Sequence, residues 1–215
     1  MCKKLGSYIC LSCQKKLVVF NRDMCFYCKK TSLFGLTHPC CKRVKGVDGC
    51  VFIYVYNNEL KKIIKSLKYR LVRKGLKELL EISSDEIYNK LTRLIKLYKN
   101  IILSPTPLYK SRLNKRGFNQ AEDICLFIKD HFKIPIEQFL SRKKDTKPQA
   151  TIKGLKQRYL NIRGAFTVVN QQKIKDKNII LVYDVVTSGS TVREACLKLK
   201  QNKASHVFVF ALAKG

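Results

Sequence analysis

Apolar positions along the first 50 residues follow no helical or alternating period, and a regular pattern begins only at Val51. Val51-Phe52-Ile53-Tyr54-Val55-Tyr56 is β-branched and aromatic and predicts a strand. Asn58 is placed to cap a following helix whose Leu60, Ile63, Ile64 and Leu67 recur at helical spacing. Two further helical stretches are predicted near Leu76–Ile82 and Asp85–Leu97, with Ser83-Ser84 as break and cap between them. Ile101-Ile102-Leu103 predicts a short buried strand stopped by Ser104-Pro105-Thr106-Pro107, then a basic loop from Tyr109 to Phe118. Ala121, Ile124, Cys125 and Ile128 mark one face of a helix. Residues 141 to 165 are polar and basic, with a helix over Leu155–Ile162. Asn178 to Tyr183 is a continuous apolar run of the length of a central parallel strand, with Asp184 at its end. Thr187-Ser188-Gly189-Ser190-Thr191 opens a helix that buries Val192, Ala195, Cys196 and Leu199, and His206 to Ala211 is the last strand. Strand, loop, helix and strand at these lengths form a βαβ unit and predict an α/β fold with a mostly parallel, doubly wound sheet.

Cysteine usage changes the picture at the N-terminus. Eight of the ten cysteines lie within the first 50 residues, which divides the chain into a Cys-rich module, 1–50, and an α/β domain, 51–215. Cys10-x₂-Cys13 and Cys25-x₂-Cys28 are separated by eleven residues. Two such knuckles offer four thiolates to one ion, which predicts a closed, structural zinc site of the zinc-ribbon kind. Leu17-Val18-Val19-Phe20 and Asn21-Arg22 suit a short hairpin between the knuckles. His38, Cys40, Cys41 and Cys50 are spaced irregularly for a second complete site. Cys125 and Cys196 fall on apolar helix faces, and Cys2 reads as a terminal thiol. No run of about 20 uncharged apolar residues offers a membrane span. Met1 to Cys13 lack a secretory pattern, so a cytoplasmic protein is expected, where clustered thiols favour metal over disulfides.

Charge adds a preference for anions: 44 Lys and Arg face 15 Asp and Glu, a formal net charge of +29. The surplus is spread along the chain, which leaves both phosphate ligands and nucleic acid open as partners. The Thr187–Thr191 loop gives that preference a location. Hydroxyls around Gly189, between a strand and a helix start, bring N–H and O–H donors to the positive end of a helix dipole. Thr191 and Glu194 also have the spacing of a capping box, so an ordinary βα turn remains the competing reading.

The string IILVYDVVTSGST resembles the phosphoribosyl pyrophosphate (PRPP) motif of type I phosphoribosyltransferases, with Tyr183 where that family has its first acidic residue. Residues 104–122, SPTPLYKSRLNKRGFNQAE, and 146–166, TKPQATIKGLKQRYLNIRGAF, are similar to segments of the ComF family, the latter through Thr146, Pro148, Gln149, Arg158, Asn161, Gly164, Ala165 and Phe166. With Leu67 to Arg70 and the THPCC stretch, which adds Cys41 as a further candidate ligand, the resemblance covers nearly the whole chain.

The resemblance implies a type I phosphoribosyltransferase-like fold with an N-terminal zinc ribbon. It also implies a PRPP ligand bound with Mg²⁺. Asp184, beside Tyr183, would hold the ribose hydroxyls, and Thr187, Ser188, Gly189, Ser190 and Thr191 the 5′-phosphate. Pro105, Thr106, Lys110, Arg112, Lys115 and Arg116 would surround the pyrophosphate. Tyr183 supplies no carboxylate, so phosphate binding is expected to survive the replacement better than phosphoribosyl transfer. The family's association with competence implies an alternative: a non-catalytic factor in DNA uptake that binds single-stranded DNA or a competence-protein partner.

Overall fold

The computed structural model describes residues 7–42, 46–69, 73–147 and 151–215, the side chains of 68 and 69 excepted. Cys2, Arg70, Pro148 and Gln149, named above, lie outside them. A parallel sheet runs in the order β1 (Gly49–Val55), β6 (His206–Lys214), β5 (Asn178–Val186), β2 (Ile101–Pro105). Side chains alternate between its faces, as a pleated strand requires. Ile180, Val182, Phe208, Phe210 and Leu212 enter one core, while Ile179, Leu181, Tyr183, Val207, Val209 and Ala211 enter the other. The first core is closed by α2 (Asn58–Tyr69), α3 (Arg73–Ile82), α4 (Ser84–Leu97) and α6 (Gln120–Phe132). The second is closed by α7 (Leu155–Ile162), α8 (Ser190–Gln201) and part of the Cys-rich segment. The sheet is therefore covered on both faces, which is why β5 and β6 are apolar at successive positions.

Several local expectations are corrected. Asn57, not Asn58, caps α2: its side-chain oxygen accepts from the N–H of Leu60 at 2.9 Å. The basic stretch after Tyr109 is a helix, α5 (Lys110–Arg116), and Gly117 ends it at φ 70°. Four basic side chains in seven residues masked its helical character. β2 continues through Ser104 to Pro105; a proline is tolerated at the end of this outer strand, where no N–H is called on. Residues 18–20 do not form a hairpin. The N–H groups of Phe20 and Val55 bond the carbonyls of Ile53 and Val18 at 2.7 and 2.9 Å, which ties the segment to β1. A short antiparallel pair, β3 (Leu140–Arg142) with β4 (Phe166–Val168), stands apart from the main sheet. Cys125 and Cys196 are fully buried, as expected of core thiols.

One ion pair fixes the start of β1 against α8 and β6. The Asp48 carboxylate lies 2.8 Å from Lys200 Nζ and accepts from the N–H of Val207 at 2.7 Å, with both side chains buried. Removing one member of a buried pair strands the other charge. Asp48→Asn is expected to cost roughly 3 kcal/mol or more in a urea unfolding series; a loss under about 1 kcal/mol would contradict that account.

Candidate functional site

β2 and β5 are neighbours in the sheet, yet the chain leaves them towards opposite faces. After β2 and the short α5 it forms α6, whose Ala121, Ile124, Cys125 and Ile128 enter the first core. After β5 it forms α8, whose Val192, Ala195, Cys196 and Leu199 enter the second. The carboxyl ends of two such strands bound a crevice, the place where open α/β sheets take ligands. Pro105, Thr106, Tyr183, Asp184 and residues 187–191 all fall at this point.

Gly189 precedes α8 with φ 78°, a left-handed conformation that side chains disfavour. Ser188 and Ser190 place their hydroxyls 3.2 Å apart beside it. Lys214 Nζ donates to the Thr187 carbonyl at 3.1 Å, and burial lowers its pKa, with nearby Lys29 acting the same way. The loop thus combines the start of a twelve-residue helix, two hydroxyls and an ammonium. That set suits a phosphate. Glu194 does not close a capping box: its buried carboxylate accepts instead from the N–H of Gly164 at 2.8 Å and anchors the segment before β4.

Tyr183 is buried, and its hydroxyl lies beside Thr106 without a hydrogen bond of good geometry. Burial, and then the Cys196 thiol, push its pKa far up, so the phenol stays neutral. Asp184 is half-exposed and folds back to accept from the N–H of Val185 at 2.7 Å. Thr106 is held by its own neighbours. Its hydroxyl bonds the Val182 carbonyl at 2.9 Å, and its carbonyl accepts from Asn119 at 3.1 Å.

The basic residues of α5 separate. Lys110 and Lys115 are exposed, whereas Arg112 and Arg116 are half-buried. Arg116 donates to Gln120 at 3.1 Å; Arg112 donates to the Thr146 carbonyl and pairs with Asp145 at 3.8 Å. Sequence reasoning missed Arg142 on β3, whose Nη2 donates to the Thr146 hydroxyl at 2.6 Å. Its guanidinium therefore meets that of Arg112 at one buried residue. Only the residue following Ser141 on a three-residue strand marks it in the sequence, and nothing there links it to α5.

The cysteine cluster differs from the four-thiolate set expected. Ligand atoms of Cys25, Cys28, His38 and Cys41 lie within 4.8 Å of one another, and Cys10 and Cys13 are not among them. Cys10 and Cys13 instead begin the short helix α1 (Leu11–Gln14), joined by a 2.8 Å backbone bond from Cys13 to Cys10. His38 places Nδ1 3.3 Å from Cys28 Sγ, while Nε2 lies 2.9 Å from the Thr31 carbonyl. A carbonyl only accepts, so Nε2 carries the proton and Nδ1 is left as the ligating nitrogen. Burial opposes ionisation of Cys25, but backbone N–H bonds from Cys28, His38 and Tyr27 bring its pKa down to about 6. Desolvation, with the sulfurs of Cys28, Cys40 and Cys25, pushes Cys41 up to about 12. Crowded thiols that resist ionising together are what a divalent cation would relieve, and three sulfurs with one imidazole suit a tetrahedral ion. His38-Pro39-Cys40-Cys41 repeats the two-residue gap of Cys25-x₂-Cys28. That H-x₂-C spacing was the signal to read. Cys50 stands aside: its buried thiol points at the Met24 carbonyl, 3.3 Å away, and burial pushes its pKa up to about 12.

The two sites touch. A Cβ on Gly189 would lie 2.7 Å from the ring of Phe26, the residue after Cys25, and Arg193 of α8 sits over the rings of Phe26 and Tyr27 at 5.4 and 4.9 Å. No helix among the described residues is long and apolar enough to cross a membrane.

No protein-family model matches the chain. Competence protein F of Haemophilus influenzae is 29% identical over 213 residues, which cover 96% of this chain and 90% of that protein. Competence protein ComFC of Bacillus subtilis is 27% identical over 96% of this chain and 84% of its own length. The DNA utilization protein YhgH of Escherichia coli K12 is 30% identical over 50% of this chain and 47% of that protein. Among solved structures, an allosteric regulatory enzyme of purine biosynthesis aligns over 53% of this chain and 22% of its own, with 17% identity and a TM-score of 0.36. Adenine phosphoribosyltransferase from Leishmania donovani aligns over 69% of this chain and 68% of its own, with 14% identity and a TM-score of 0.34. The similarity to the two competence proteins thus spans nearly the whole chain and most of each of them.

Proposed function

We propose that the crevice between β2 and β5 binds PRPP or a closely related phosphoribosyl ligand. The observation that carries this reading is the pairing of a Gly189 phosphate loop on one side of a switch point with arginines of α5 on the other. The 5′-phosphate would take the loop from Thr187 to Thr191, the ribose hydroxyls Asp184, and the pyrophosphate Arg112 and Arg116 near Pro105 and Thr106. Mg²⁺ would accompany the pyrophosphate as its counter-ion. Transfer, if the bound ligand reacts, breaks the bond from ribose C1 to pyrophosphate and forms one to an acceptor nucleophile. No histidine serves the crevice: His38 faces the cysteine cluster, His131 ends α6 and His206 begins β6. The acceptor would then carry its own base. Zinc at Cys25, Cys28, His38 and Cys41 would be structural, holding Phe26 against the phosphate loop.

Calorimetric titration of PRPP with Mg²⁺ into zinc-loaded protein should show micromolar binding with one site per chain. Folded protein that takes up no PRPP would overturn the reading. The names of the competence and DNA utilization relatives, with the formal charge of +29, favour a second reading in which the basic surface holds single-stranded DNA during uptake. Such binding should weaken linearly on a log–log plot against salt, with a slope of roughly 0.7 per phosphate contacted.

A further inference from the structure

The cysteine cluster carries one sulfur more than a tetrahedral ion takes. Cys25, Cys28, His38 and Cys41 bring four ligand atoms within 4.8 Å of one another, a full set for zinc. Cys40 stands outside that quartet, yet its Sγ lies 3.9 Å from the Sγ of Cys41. Two sulfurs bound to one tetrahedral zinc, each about 2.3 Å from the metal, stand roughly 3.8 Å apart. The Cys40 sulfur thus already keeps the distance from Cys41 that a second bound thiolate would keep. Pro39, Cys40 and Cys41 share a single 3₁₀ turn, in which the Cys41 N–H bonds the His38 carbonyl at 2.9 Å. One ligand, His38, and both sulfurs are therefore carried by four consecutive residues. Cys41 is half-buried and Cys40 exposed, which makes Cys41 the resident ligand and Cys40 the thiol outside it. Neighbouring residues have Cα atoms about 3.8 Å apart, whereas disulfides usually span roughly 4.4–6.8 Å, so the pair is disposed to share a metal before it oxidises to itself. Cys50 has no such part, since its buried thiol is turned to the Met24 carbonyl at 3.3 Å.

We propose that Cys40 is a reserve zinc ligand that takes the place of Cys41 when that sulfur is displaced, and so retains the ion in the site. This rests on the zinc reading of the cluster and deepens it by adding a fifth donor. In the exchange the entering thiol gives its proton to solvent and the leaving thiolate takes one up, so the charge of the site is unchanged. Three sulfurs and His38 Nδ1 hold the ion before and after. A thiol tethered one residue away recaptures a vacated position at a high effective concentration, ahead of a dilute chelator.

Zinc content, the absorption of the cobalt(II)-substituted protein and the rate of zinc transfer to excess 4-(2-pyridylazo)resorcinol test the proposal. Cys41→Ala should keep one zinc per chain, and its cobalt(II) form should retain the thiolate charge-transfer intensity of wild type, three sulfurs being bound in each. Cys40→Ala should hold zinc at rest but surrender it to the chelator faster than wild type. With both cysteines replaced, zinc affinity should fall at least about tenfold beyond the product of the single changes, the mark of one ligand standing in for the other. Folded Cys41→Ala that holds no zinc, or binds cobalt(II) with the intensity of two sulfurs, overturns the inference alone. So does Cys40→Ala that releases zinc no faster than wild type, a comparison that decides the matter should Cys41→Ala fail to fold. Wild-type protein that binds no zinc overturns the zinc reading and the inference with it.

Discussion

Serine in place of both Cys25 and Cys28 should leave the protein without zinc, whereas serine in place of both Cys10 and Cys13 should leave one zinc per chain bound. The first pair belongs to the quartet with His38 and Cys41, and the second does not. His38→Ala should also lose the ion, because the Thr31 carbonyl fixes the proton on Nε2 and leaves Nδ1 for the metal. A structural site of this kind contributes on the order of 10 kcal/mol to folding of its module. Metal analysis of the purified variants, followed by urea unfolding, measures both effects. The expected order is a large loss of stability for Cys25→Ser with Cys28→Ser and a small one for Cys10→Ser with Cys13→Ser. Equal zinc loss from both double variants would restore the four-thiolate site that the spacing suggests.

The second large effect is expected at Gly189. Valine there must adopt φ 78° and place its Cβ 2.7 Å from the Phe26 ring. A β-branched residue in the left-handed region is strained by roughly 1–3 kcal/mol before any clash is counted. Gly189→Val should therefore abolish PRPP binding and lower stability as well, so loss of binding by this variant is read only beside its unfolding curve. Gly189→Ala separates the causes. In a Phe26→Ala background the ring is gone while the backbone strain stays, and the cost of Gly189→Ala should fall by about 1 kcal/mol. An unchanged cost would mean that the ring does not press on the loop.

Legibility in the sequence followed the range of the interactions involved. The strands over residues 178–183 and 206–211 and the helices of Leu60, Ala121 and Val192 were readable because burial imposes a period on neighbouring residues. The turn from β5 into α8 was readable because its glycine and hydroxyl residues are confined to five consecutive positions. α5 was missed because four of its seven residues are cationic and it shows no apolar stripe. The cap of α2 was misplaced by one residue, since Asn57 and Asn58 are chemically alike and only geometry chooses between them. The metal ligands were half legible. A knuckle is local, but which two knuckles meet is decided by tertiary packing: the run tying residues 18–20 to β1, and the turn that brings His38 beside Cys28. Arg142 shows the same limit, since its meaning depends on a helix some thirty residues earlier.

Phe26 has one neighbour on each side of the question: Cys25 of the thiol–imidazole cluster before it in sequence, and Gly189 beneath its ring in space. On the PRPP reading, whatever factor an ion at the cysteine cluster adds to the affinity of the loop for a phosphate, the phosphate would return to the ion, because the two equilibria share one cycle. A cell that withdraws zinc would by the same token loosen this protein's hold on a phosphoribosyl ligand, and a cell rich in that ligand would slow the metal's escape. Metal supply and nucleotide-precursor supply would then be read by one aromatic ring.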